Sequence, residues 1–253
     1  MPINITLNDD QLLHYSRQIM LPHFGIEGQQ RLHDAHVIII GIGGLGSPVA
    51  MYLAAAGVGT LTLVDFDTVD NSNLQRQIVH NIDSIGKSKV SSAKKTLLQL
   101  NPETTIHCVD KKLSPDELAT LITDANCVID ATDNFSTRFL INSTCYSQRV
   151  ALVSAAAIQF EGQISVFDFR QADSACYACL YAEEGEENTS CSENGILAPV
   201  VGIMGSMQAL EAIKLICEIG ETLKNRLLIF DALALQWRTI KFKKDANCSV
   251  CAK

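Results

Sequence analysis

Short, wholly apolar runs alternate with stretches in which apolar residues return every three or four positions. Val37-Ile38-Ile39-Ile40 has the length and content of a buried strand. Gly41-Ile42-Gly43-Gly44-Leu45-Gly46 follows at once, and Ser47 to Gly57 then reads as a helix ended by glycine. Leu61-Thr62-Leu63-Val64-Asp65 is a second strand, which completes a βαβ unit. The same pattern predicts a helix from Ile85 to Leu100, stopped by Asn101-Pro102, and a strand from Thr104 to Val109. It continues with a helix from Ser114 to Thr123, a strand at Cys127-Val128-Ile129-Asp130 and a helix from Asn134 to Gln148. Ahead of these, Asp9 to Met20 reads as a short amphipathic helix and Gly28 to Asp34 as another.

After Val150 the rhythm changes. Val150 to Ala155, Gly162 to Phe169, Arg226 to Phe230 and Trp237 to Phe242 read as strands, with one long helix, Pro199 to Glu218, among them. The expected fold is α/β: a Rossmann-like, mostly parallel sheet with helices on both faces, continued by antiparallel strands. No Pro/Gly/Ser-rich linker divides the chain, so residues 1–253 are expected to form a single domain. Its parts would be N-terminal helices over 1–35, a nucleotide-binding half over 36–149 and a second half over 150–253.

Composition narrows the function classes. The chain has 253 residues, of which 47% are hydrophobic, enough for a substantial core. The net charge of −8 argues against nucleic acid as a partner, and the short cluster Lys241, Lys243 and Lys244 reads as a solvated strand end. The start, Met-Pro-Ile-Asn-Ile-Thr, has neither the basic residues nor the apolar run of a signal peptide. Ile196 to Ile219 is the most apolar stretch, yet it contains Pro199, Gln208, Glu211 and Lys214, which are costly in lipid. It is therefore expected to be a buried helix, with no membrane partner. Nine cysteines without an export signal point to the reducing cytoplasm, where paired cysteines serve metals more often than disulfides.

Gly41, Gly43 and Gly46 fit G-x-G-x-x-G in its required place between a strand and a helix. Glycines let the backbone approach a phosphate, and the helix N-terminus offers free N–H groups and partial positive charge. Asp65 ends the next strand, where an acidic residue usually holds a ribose. The motif alone indicates an adenine nucleotide, and an NAD(P)-dependent oxidoreductase would satisfy it. The polar run Asp65 to Gln77, with Arg76, and then Lys89 argues instead for a reaction that builds charge on phosphate. Asp133-Asn134, just past the fourth strand, adds a carboxylate suited to Mg²⁺. Each charged residue alone reads equally well as ordinary surface; the set gathers at one edge of the sheet.

Cys176-Tyr177-Ala178-Cys179 and Cys248-Ser249-Val250-Cys251 are two C-x-x-C pairs. Four thiolates make a closed tetrahedral zinc site, which is structural. A redox dithiol is the alternative. Cys108, Cys127, Cys145 and Cys217 read as small core residues. Cys191 lies in a polar loop, where a cysteine can be a nucleophile, but its neighbouring glutamates raise the cost of the thiolate.

Taken together, these residues resemble the ThiF/MoeB/HesA family, the bacterial relatives of ubiquitin-activating enzymes. The likeness runs from His14-Tyr15-Ser16-Arg17-Gln18-Ile19 to the last C-x-x-C. It is carried by the glycine loop, Ser72-Asn73-Leu74-Gln75-Arg76-Gln77, Asp130-Ala131-Thr132-Asp133-Asn134 and Gly205-Ser206-Met207-Gln208-Ala209-Leu210-Glu211-Ala212-Ile213-Lys214. The resemblance implies an adenylyltransferase: the terminal Gly-Gly carboxylate of a ubiquitin-like sulfur-carrier protein attacks the α-phosphate of ATP, giving an acyl-adenylate and pyrophosphate. A carboxylate is ionised at neutral pH, so no general base is required.

By that resemblance Gly41, Gly43 and Gly44 approach the phosphates, Asp65 holds the ribose, and Asp67 is a further nucleotide-binding residue. Ser72, Asn73, Leu74, Gln75, Arg76, Lys89 and Asn134 contact the nucleotide, and Asp133 binds Mg²⁺. Arg17 reaches the nucleotide of the other subunit of a homodimer, and Cys191 handles sulfur. The second half would bear the carrier site and the zinc. Ala156-Ala157-Ile158-Gln159-Phe160-Glu161-Gly162-Gln163-Ile164 and Asp65-Phe66-Asp67-Thr68-Val69 look like the molybdopterin branch, whose carrier is the small subunit of molybdopterin synthase. Tyr15-Ser16-Arg17-Gln18-Ile19 looks like the thiamine branch. Some relatives continue into a sulfurtransferase domain; here a separate sulfurtransferase is expected as sulfur donor.

Overall fold

Eight strands form one sheet in the order β3-β2-β1-β4-β5-β6-β7-β8. The computed structural model describes residues 5–181 and 195–252. The strands are β1 (His36–Ile40), β2 (Thr60–Val64), β3 (Thr105–Val109), β4 (Cys127–Asp130), β5 (Ala151–Ile158), β6 (Glu161–Phe167), β7 (Arg226–Asp231) and β8 (Gln236–Lys241). The first five pair in parallel and the last three add antiparallel. Helices α1 (Asp9–His14), α2 (Ser16–Ile19) and α3 (Gly25–His33) precede the sheet. The others among the described residues are α4 (Gly46–Ala55), α5 (Lys89–Leu100), α6 (Pro115–Ile122), α7 (Phe135–Gln148) and α8 (Ala198–Cys217).

Period-two alternation of the strands sends side chains into two cores. On β1, Val37 and Ile39 join Leu53 of α4, Leu97 of α5 and Met204 of α8, while Ile38 and Ile40 join Ile122 of α6 and Phe139 of α7. Both faces are thus covered, as the alternating pattern predicts. Truncating a fully buried leucine such as Leu53 to alanine would cost about 2–5 kcal/mol.

Helix α8 is long and apolar enough to cross a membrane by length and composition alone. It is instead the central helix of the first core, and its polar residues explain why. Gln208 is fully buried and donates to the carbonyl oxygens of Asp130 (2.7 Å) and Val153 (3.3 Å). Glu211 is buried too, accepting from the Leu223 N–H at 2.8 Å and pairing with Lys214.

Local departures from the sequence reading have identifiable causes. The Asp9–Met20 helix breaks at Tyr15 (φ −93°, ψ 10°), whose buried ring sends its hydroxyl inward to accept from Asn101 Nδ2 at 2.7 Å. The helix expected from Ile85 begins only at Lys89, because Gly86 sits at φ +79° and closes a turn. Strand β5 runs on to Ile158, where its pairing with Glu161 closes the hairpin. Cys108 is exposed on the outer strand β3, not a core residue, because β3 has a neighbour on one side only.

The order of strands reverses between β1 and β4: the chain moves outward from β1 to β2 and β3, then returns to β4. Ligands in open α/β sheets bind beyond the carboxyl ends of the strands at such a point.

Candidate functional site

An open cavity of about 230 Å³ lies at that reversal, between the ends of β1, β2 and β4. Its floor is the glycine loop. Gly46 is obligatory there, since a Cβ would fall 1.9 Å from the Gly41 carbonyl oxygen. Gly41 has φ +92° and packs against the Ala131 carbonyl, which binds the loop to the end of β4. The loop leads into α4, whose first turn is secured by the Ser47 N–H (2.9 Å) and hydroxyl (2.6 Å), both donating to the Gly43 carbonyl.

Side chains brace the loop from outside. Asp65, at the end of β2, accepts from the Ile42 N–H at 2.7 Å and the Asp67 N–H at 2.9 Å. Burial pushes the Asp65 carboxyl above its ordinary value, against the pull of Lys89 and of those two N–H groups. The Lys89 ammonium, itself buried, donates to Asp67 at 2.7 Å and stands 3.9 Å from Asp65. Two acids therefore hold one cation at the rim.

The opposite wall is the β4–α7 turn. Asp130 is buried and accepts from Ser154 at 2.7 Å, from the Thr132 hydroxyl at 2.7 Å and from the Thr132 N–H at 3.1 Å. Arg138, on the first turn of α7, donates to the Thr132 carbonyl at 2.6 Å and lies 4.0 Å from Asp130. Asn134 caps α7 by accepting from the Thr137 N–H at 3.0 Å. These bonds fix the turn that carries Asp133 at the cavity mouth.

Of the expected site residues, Gly41, Gly43, Gly44, Asp65, Asp67, Arg76, Lys89, Asp133 and Asn134 line this cavity. Ser72, Asn73, Leu74 and Gln75 do not. They form the capped turn before Arg76, with the Arg76 guanidinium donating to the Ser72 carbonyl at 3.1 Å. Arg17 lies on α2, away from its own chain's cavity, and its neighbour Gln18 donates to the Ala56 carbonyl at 3.1 Å. Cys191 falls outside the described residues. The sequence reading passed over Lys111, Lys112 and Arg138, and gave no role to Phe66 and Gln77 within the run Asp65 to Gln77; all five line the cavity. The strand-end rule that singled out Asp65 would have found Lys111 and Lys112, just past β3. Arg138, one turn after Asn134, carried no separate signal.

The four paired cysteines converge on the α7 face of the sheet. Their sulfurs all lie within 4.8 Å of one another, with Cys176–Cys248 at 3.5 Å, Cys179–Cys251 at 3.3 Å and Cys176–Cys179 at 3.9 Å. A tetrahedral zinc with bonds of about 2.3 Å needs sulfurs roughly 3.8 Å apart, so the cluster fits a metal rather than a disulfide. Burial and the adjacent sulfurs push Cys176 up to about 12 and raise Cys251 as well. At Cys248 burial also opposes ionisation, but the Cys251 and Val250 N–H groups and the neighbouring thiols prevail, bringing it down to about 7. A cation is what lets such a group ionise together.

Comparison with known proteins agrees with this geometry. The model of the ThiF family matches residues 15–250. The chain is 44% identical over 247 residues to the molybdopterin-synthase adenylyltransferases of Salmonella typhimurium and Escherichia coli, covering 98% of this chain and 99% of each relative. It is 43% identical to an adenylyltransferase and sulfurtransferase of Drosophila virilis, where it spans 55% of the relative. Among solved structures, E. coli MccB superposes with a TM-score of 0.81 at 23% identity, covering 99% of this chain and 75% of that one. PaaA gives 0.81 at 24%, covering 96% and 77%. Those two show likeness of fold alone.

Proposed function

This chain belongs to the ThiF family, and from that premise we propose that it uses ATP to adenylate the C-terminal Gly-Gly carboxylate of a ubiquitin-like sulfur-carrier protein. It is an adenylyltransferase, and the observation that carries this is the 44% identity over the full lengths of two bacterial relatives so named. Their names favour the small subunit of molybdopterin synthase over the thiamine carrier, and the NAD(P) oxidoreductase reading is set aside. The portion shared with the Drosophila relative is assigned the adenylation step, with a separate sulfurtransferase supplying sulfur afterwards.

In this reading residues 36–149 bind the nucleotide. The N–H groups of Gly43 and Gly44 meet the phosphates, and Asp65 meets the ribose. Arg76 and Lys89 neutralise charge that builds on the α-phosphate and the departing pyrophosphate. Asp133, a hard oxygen donor at the mouth, would hold Mg²⁺, which supplies further charge neutralisation. The carrier's carboxylate attacks without losing a proton, so catalysis is positioning and electrostatics. Residues 150–253 receive the carrier. Cys176, Cys179, Cys248 and Cys251 would hold a structural zinc that ties the chain's end to the segment after β6. Arg17, between the exposed Leu13, Met20 and Leu21, acts in the partner subunit's site of a homodimer. Cys191 handles sulfur, and the protein is cytoplasmic.

The test is ATP–pyrophosphate exchange with purified chain and the small subunit of molybdopterin synthase. Exchange should require the carrier's last two glycines. Exchange that persists with a carrier truncated by two residues would refute the assignment.

A further inference from the structure

The glycine loop is held by a residue that the proposed chemistry does not use. His80 is buried, and its Nε2 lies 3.0 Å from the Ile42 carbonyl oxygen. Its Nδ1 lies 2.9 Å from Ser92 Oγ on α5. A carbonyl only accepts, so Nε2 carries the hydrogen, and the Ser92 hydroxyl donates to Nδ1. The ring is the neutral imidazole: burial first, and then Lys89, hold its pKa below the ordinary value, although the bond to Ile42 favours the charged form.

Ile42 is therefore gripped at both ends, its N–H by Asp65 at 2.7 Å and its carbonyl by His80. In a trans peptide the C=O and the following N–H point in opposite directions. Drawing the Ile42 carbonyl towards His80 turns the Gly43 N–H the other way. The next carbonyl, that of Gly43, is drawn towards Ser47, which turns the Gly44 N–H in the same manner. Gly43 and Gly44 both line the cavity. Ser92 is three positions after Lys89, on the same side of α5. One imidazole thus couples the loop that would meet the phosphates to the helix that brings the rim's cation.

We propose that His80 is a positioning residue for the nucleotide's phosphates: it fixes the Ile42–Gly43 peptide so that consecutive glycine N–H groups form an anion cradle in register with Lys89. It touches neither ATP nor the carrier. The inference rests on the nucleotide assignment above and adds the device that orients the loop.

Binding of ATP with magnesium, and separately of adenosine, to the purified full chain tests this. His80→Ala should weaken ATP by about tenfold, the equivalent of one net hydrogen bond. Adenosine has no phosphates, so its affinity should stay within about twofold if the damage is confined to the cradle. His80→Gln, which keeps an N–H at the reach of Nε2, should restore most of the ATP affinity. His80→Asn, whose amide is shorter, should not. Thermal melting confirms that each variant is folded. Equal losses for ATP and adenosine, unchanged ATP affinity in His80→Ala, or rescue by Asn but not Gln would overturn the proposal. A wild-type chain that binds no ATP would overturn the proposed function itself, which separates the two failures.

Discussion

The cavity at the β1–β4 reversal and the four-cysteine cluster are each proposed to hold a charged ligand, but they are made of opposite materials. The cavity's centre is backbone: glycine N–H groups of one continuous loop, oriented by Asp65, Ser47 and His80. Cations stand around it on other segments. The cluster's centre is four side chains, delivered by two short segments 72 residues apart. Three of the cluster's four cysteines are buried and Cys179 is half-buried, whereas the cavity is open to solvent. A side-chain change should therefore remove function from the first region and fold from the second.

The largest effect is expected at the cysteines. If the full binding free energy of a structural zinc, about 10 kcal/mol or more, couples to folding, stripping it should lower Tm by roughly 20 °C or more. Cys251→Ser should behave in the same way in a metal-replete preparation. Where the variant is still folded, at low temperature, ATP affinity should change by less than about tenfold: α7 joins the two regions, with Asn134 at the cavity and the Tyr146 hydroxyl donating to the Cys251 carbonyl at 3.1 Å, but no cysteine of the cluster lines the cavity. A Cys251→Ser chain that melts with the wild type would show that the cluster does not staple the fold, and the contrast would dissolve.

Next in size is Arg76→Ala. The guanidinium lines the cavity and donates to the Ser72 carbonyl on its own turn, so little of the fold depends on it. Adenylation should fall by about 100-fold, as when one charge-stabilising donor is removed from an active site. Tm should move by no more than about 2 °C. A large loss of stability would mean that the rim is as much a structural element as the cluster.

Both regions could be read from sequence as far as their chemistry is local. The glycine loop was legible because its chemistry is local: strand, glycines and helix occupy consecutive positions, and steric demands at Gly41 and Gly46 leave no other residue type. The cysteine cluster was legible because spacing within each C-x-x-C pair is also local, and thiolates have few other uses in such an arrangement. Residues acting through tertiary contact were not legible. His80 is one histidine among six, and nothing in its neighbourhood of sequence says that it meets Ile42, 38 positions earlier. Arg138 and Asp130 find one another only when α7 folds back over β4. Helix boundaries failed for a similar reason: Tyr15 leaves the helical pattern to reach Asn101, 86 positions away.

The smallest expected effect tests the sign of the rim's contribution to stability. Burial raises the Asp65 carboxyl above 3.8 despite Lys89 nearby and the N–H groups of Asp67 and Ile42. A group whose folded pKa exceeds its unfolded one binds a proton more readily when folded, so its contribution to stability grows as pH falls and is lost as pH rises through the folded value. At neutral pH the ionised carboxylate is thus a net cost, tolerated because a charged acceptor braces the Ile42 N–H. Asp65→Asn keeps an acceptor but cannot titrate. The difference in Tm between wild type and this variant should therefore shift in favour of the wild type as pH is lowered from neutral towards about 4, the unfolded carboxyl range. A difference that stays flat, or shifts the other way, would mean that Lys89 more than repays the burial of Asp65, and that the rim, like the cysteine cluster, supports the fold through its charges.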